Sequence, residues 1–149
     1  MIDPGVVVRA LRAAHLHDVS RKELLQLACD RIRSWGEPFT SVYAYKLNGD
    51  TLELEAFSGR ATEHTRIAVG AGVCGTAVAT ATDQNVPDVT AVGNYIACNL
   101  DTRSELVILI RRRDTILGQL DIDSDTPRGF AELHEQAVRR VADALAVLI

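Results

Sequence analysis

The sequence lacks a disulfide framework. It has three cysteines, an odd number, and no CxxC pair, so a secreted, disulfide-stapled scaffold is excluded and a reducing cytoplasm is the expected compartment. It also lacks a long hydrophobic run. No apolar stretch approaches the roughly 20 residues of a membrane span, and "MIDPGVVVRALRAAHLHD" has no basic segment followed by a long apolar one, so no signal peptide is read. An excess of positive charge is missing too. The net charge is −4, which gives no electrostatic footprint for nucleic acid or an anionic membrane. Arg111, Arg112 and Arg113 are the only basic cluster, and three charges at a strand end read as a solvated turn. Repeats, low-complexity tracts and linkers are absent as well.

What is present is an ordinary globular balance, 47% hydrophobic and 24% charged over 149 residues. That length fits one domain, residues 1–149, with a core that needs no staples. Residues 6–16 read as a first helix. "SRKE", Ser20 to Glu23, is a capping box that opens a second. Leu24, Leu27, Ala28 and Ile32 then recur at helical spacing, and Gly36 and Pro38 end it. The period changes to two in "FTSVYAYKL" and "TLELEAFS", joined by the hairpin signal Asn48-Gly49-Asp50. "RIAV" is a short strand, residues 74–82 a short helix and "NVPDV" an extended piece. Residues 90–103 form a long irregular segment, more often functional than idle. "SELVILIRR" and "ILGQLDIDS" are the strongest strands. After Pro127 and Gly129, residues 130–149 form a last helix, with Leu133, Ala137, Val141, Ala144 and Leu148 on one side. This order predicts an α+β fold, one antiparallel sheet flanked by N- and C-terminal helices.

Side chains alternate along a strand, so Asp121 and Asp123 share one face while Leu120 and Ile122 take the core side. The preceding strand begins at Glu105, and a hairpin between the two strands brings Glu105 toward both aspartates. Spacing alone leaves two readings open. The acids belong to a solvated sheet face, or they converge on one site and favour a cation such as an ammonium group or a metal. Asp121, Asp123, Asp125 and Glu132 match EF-hand positions, but Thr126 stands where that loop needs glycine. A zinc site from His64, Cys74 and Cys98 lacks a close ligand pair. No metal is expected. His15, His17 and His134 fall in helices and indicate surface or satisfied positions.

Cys29 lies on the apolar side of the second helix and reads as a packed small hydrophobe. Cys74 stands at the start of a short helix, a position that favours a thiolate. Cys98 sits in the polar run "YIACNLDTRSE". Each of these two is either inert or a presented thiol.

The segments "GVCGTA", "VPDV", "YIAC", "SELV" and "ILGQLDIDS", followed by Phe130, occur in order between Gly72 and Phe130. In this the sequence resembles GAF domains of the free methionine-R-sulfoxide reductase type. The resemblance implies a GAF-like fold and a reductase of free L-methionine-(R)-sulfoxide. It implies Cys98 as nucleophile, Glu105, Asp121 and Asp123 as holders of the substrate ammonium, and Tyr45 as a pocket aromatic. Cys74 is then the resolving thiol. No cofactor is bound; a thioredoxin-type reductant is the electron donor, and the terminal helices are expected to form a homodimer. The competing reading is a GAF sensor of a small molecule or of redox state, without catalysis. The sequence departs from the family pattern at several places. His64 stands where the family commonly has a further cysteine, and Ser41 where it has a strand tryptophan. The only tryptophan, Trp35, falls in the helix before. Tyr95 and Asn99 flank Cys98 where histidine and aspartate are usual.

Overall fold

A computed structural model describes residues 1–95 and 100–149. Asp3 caps the first helix, α1 (Pro4–Leu16), by accepting from the Val6 N–H at 3.2 Å. Pro4 starts that helix because its missing N–H is not needed there. Ser20 caps α2 (Arg21–Arg33) through the Glu23 N–H at 3.1 Å. The remaining elements are β1 (Ser41–Asn48), β2 (Thr51–Ser58), β3 (Arg66–Ala68), α3 (Gly72–Thr80), β4 (Gln84–Val86), a 3₁₀ turn (Val89–Ala91), β5 (Ser104–Arg112), β6 (Thr115–Ser124) and α4 (Glu132–Leu148).

The strands form one six-stranded sheet in the order β3-β2-β1-β6-β5-β4, and every neighbouring pair is antiparallel. The expected α+β architecture is therefore present. Alternation divides the sheet residues cleanly. Val42, Ala44, Ala56, Leu106, Ile108, Ile110, Leu120 and Ile122 face a core shared with α1, α2 and α4. Tyr43, Tyr45, Leu52, Val107 and Leu109 face a second, smaller core under α3. Cys29 is fully buried in the first core, where burial pushes its thiol far up, as a packed hydrophobe requires.

Two expectations shift. The inward face of α4 is Ala137, Val138, Val141, Ala142, Leu145 and Ala146. Leu133, placed inward by spacing, is 59% exposed. It lies in the first turn and lines an open groove with Ile2 and Pro4 at the start of α1. Trp35 lies beyond the end of α2 and packs edge-on against Phe39 at 5.2 Å, on the helix side of the sheet. It therefore lies across the sheet from the acid-bearing face. Arg112, one of the three clustered arginines, donates to the Ala146 and Ile149 carbonyls and so closes the C-terminus of α4.

Candidate active site

The register of β5 and β6 sets the acids side by side. Glu105 lies directly opposite Asp123, and Val107 opposite Asp121. On the other flank of β6, Ser41 pairs with Asp123, Tyr43 with Asp121 and Tyr45 with Gln119. Glu105, Asp121 and Asp123 are 3%, 0% and 3% exposed, so the solvated-face reading is excluded.

Cys74 comes to this face from the first turn of α3. Gly75 lets the first turn of α3 pack on the turn that leads into it, because a Cβ there would lie 2.4 Å from the Ala68 carbonyl. The buried Cys74 thiol donates to Glu105 Oε2 at 3.7 Å. Its backbone carbonyl accepts from Gln119 Nε2 at 3.0 Å. Gln119 thereby ties α3 to the strand that carries the aspartates.

Cys74, Glu105 and Asp121 each present a ligand-type atom, and these atoms lie within 4.8 Å of one another. His64 is not in that group. Asp121 and Asp123 receive no well-formed hydrogen bond from the described residues. Burial raises the Asp121 carboxyl above the usual range, against the opposing influence of its neighbours Glu105 and Cys74. Asp123 is raised well above it, by burial first and then by the charges of Asp121 and Asp125; Arg60 and Thr102 act in the opposite sense. Buried like charges without a cation repel and retain protons. The arrangement is thus suited to a cationic group.

The two tyrosines hold the loop above the site. Tyr43 donates to the Arg60 carbonyl at 2.7 Å and Tyr45 to the His64 carbonyl at 2.8 Å. Of the two, Tyr43 stands alongside Asp121, and Tyr45 is one step farther along the face. Ser41 is buried against the chain at Gly59, where an added Cβ would lie 2.6 Å from the Ser41 hydroxyl. Position 59 has no room for a side chain there, because Ser41 occupies the space a Cβ would take. Cys98 and Asn99 lie outside the described residues. Arg60, Tyr43 and Gln119 also belong to the site. Gln119 carried a signal, since it is two residues before Asp121 on the same face.

The GAF domain profile matches residues 20–149. Free methionine-R-sulfoxide reductase of Escherichia coli is 41% identical over 101 residues, 68% of this chain and 61% of that protein. The match thus spans about three fifths of that relative's length. The solved structure of type II free methionine-R-sulfoxide reductase from Thermoplasma acidophilum is 34% identical, with a TM-score of 0.83, covering 86% of this chain and 91% of that one. The X-ray structure of free methionine-R-sulfoxide reductase from Neisseria meningitidis in complex with its substrate is 27% identical, with a TM-score of 0.85, covering 95% of this chain and 84% of that one. By sequence and by fold, the chain belongs to the GAF domain family.

Proposed function

We propose that the protein reduces free methionine-(R)-sulfoxide to methionine. The observation that carries this reading is the buried row of Glu105, Asp121 and Asp123, in which both aspartates lack well-formed donors. A free amino acid brings an α-ammonium to such a row, and a residue within a peptide does not. The similarity to named reductases supports the same substrate.

In the proposed reaction, the Cys98 thiolate attacks the sulfoxide sulfur. A proton from one of the raised carboxyls passes to the sulfoxide oxygen. The oxygen is transferred to sulfur of Cys98, giving a sulfenic acid, and methionine leaves as the thioether. Cys74 then attacks that sulfur, water departs and a Cys74–Cys98 disulfide forms. A dithiol of thioredoxin type reduces the disulfide by exchange and is itself oxidised. The acids bind and orient, and they supply protons. The cytoplasmic compartment and a homodimer through the terminal helices belong to the same reading.

The test is NADPH-coupled turnover with thioredoxin and thioredoxin reductase, on free and on N-acetylated methionine-(R)-sulfoxide. Turnover of the free form alone, lost in Cys98→Ser, supports the proposal. In Cys74→Ser, turnover should survive with dithiothreitol and fall with thioredoxin. Tight binding of the free amino acid with no turnover under either reductant would reject the enzyme in favour of a sensor.

A further inference from the structure

An α-amino acid bound by its ammonium carries a carboxylate on the same carbon. A site made only of acids would repel that carboxylate, and a cation close to the row would offset the repulsion. Arg60 has the position for this. Its backbone N–H donates to Ser41 Oγ at 3.0 Å, and its carbonyl accepts from Tyr43 at 2.7 Å. Ser41 and Tyr43 are the β1 residues that pair with Asp123 and Asp121. The loop at Arg60 is therefore fastened directly beside the two aspartates. From there the guanidinium reaches past the end of β6, and Nη1 and Nη2 donate to Asp125 Oδ1 and Oδ2 at 2.6 and 2.5 Å.

Exposure marks this pair as the rim. The side chains of Arg60 and Asp125 are 37% and 34% exposed, whereas Asp123 is 3% exposed. Asp125 orients the guanidinium but does not exhaust it, because the planar fork has further N–H donors beyond the two used. Asp101 also bears on Arg60 as a nearby negative charge. The nearby Arg103 is engaged elsewhere: it donates to the Leu100 carbonyl at 3.0 Å and the Thr102 carbonyl at 3.3 Å. Arg60 is also the arginine whose charge favours ionised Asp123.

We propose that Arg60 binds the α-carboxylate of the amino-acid ligand, with Asp125 as the positioning residue that holds the guanidinium at the rim. The inference rests on the amino-acid reading of the acidic row. Ligands with an ammonium but no carboxylate lose the rim contact and keep the deep one. Specificity for a free amino acid is then read twice, once at each end of the zwitterion.

Calorimetric titration of the full chain with L-methionine and with L-methioninamide tests this, at about pH 6, where both amines are protonated. Wild type should bind the acid about tenfold or more tightly than the amide, the scale of a charge-assisted hydrogen bond. Arg60→Met should lose that preference and keep its affinity for the amide. Arg60→Lys should recover part of it, because it restores the charge without the fork. Equal loss for both ligands in Arg60→Met, with no recovery in Arg60→Lys, would overturn the proposal in favour of a structural role for the loop. An unchanged preference would overturn it as well. If wild type bound neither ligand, the amino-acid reading itself would fail and the proposal with it. Equal binding of both ligands by a wild type that turns over the sulfoxide would reject the role of Arg60 alone.

Discussion

Asp123 faces Glu105 across the ladder and follows Asp121 on the same strand face, all three buried. Its raised carboxyl fixes the sign of a pH effect. A carboxyl whose folded value lies above its unfolded one contributes stability below about pH 4. That contribution is lost as pH rises through the folded value. Asp123→Asn, neutral at every pH, should therefore raise the ligand-free melting temperature at pH 8, by an amount equivalent to about 1–3 kcal/mol, and should abolish amino-acid binding. A melting curve with no gain at pH 8 would show that the carboxyl already has a cationic partner. The acid trio is legible in the sequence because strand alternation and one hairpin suffice to place it. Burial of the trio is not legible, since it depends on α3 and on the loop above. The tight fit of Gly59 on Ser41 is not legible either, because it joins the end of one strand to the start of another.

Among the elements, α4 shows what periodicity misses. Spacing places Leu133 inward, yet it is exposed, while the next residue has a structural task. His134 Nδ1 accepts from the Ala131 N–H at 2.8 Å and so caps the helix from its third position. Its ring also packs edge-on against Phe39 and Phe130. Burial holds the imidazole below its ordinary value. The neutral ring is the capping form, so its contribution is present above about pH 6.5 and is lost as pH falls through the folded value. His134→Ala should cost about 0.5–2 kcal/mol at pH 7.5, with a smaller difference from wild type at pH 5. Equal differences at both values in denaturant melts would exclude the cap as the titrating contact. For α3, Gly75→Ala should cost about 1–3 kcal/mol by overpacking against Ala68. It should also slow formation of the proposed Cys74–Cys98 disulfide, read by mass spectrometry of alkylated samples. Loss of stability with no change in that rate would separate Gly75 from the thiol chemistry. β5 and β6 are read from sequence with little error because two long runs rich in Val, Ile and Leu meet at a short turn. The bounds of α3 move by two residues, since its glycine-rich start carries no side-chain cap.

For the molecule as a whole, a ligand that neutralises the buried acids stabilises the folded state by mass action. Methionine sulfoxide at a hundred times its Kd should add about 2.7 kcal/mol, seen as a higher melting temperature, and N-acetylmethionine sulfoxide should add nothing. A similar shift from both would place the binding energy away from the acidic row. The sheet order gives this site a further property. β1, β2 and β3 lie on one side of the β1–β6 seam, and β6, β5 and β4 on the other. The three acids and the Cys74 anchor come from the C-terminal side, whereas Ser41, Tyr43 and the Arg60 loop come from the N-terminal side. The seam joins residues distant along the chain, a class of contact that is slow to form. A half-assembled chain would carry the acids without their rim. On the proposed function, capacity to recognise an amino acid arrives only with closure of the sheet, and ligand binding then serves as a readout of completed folding.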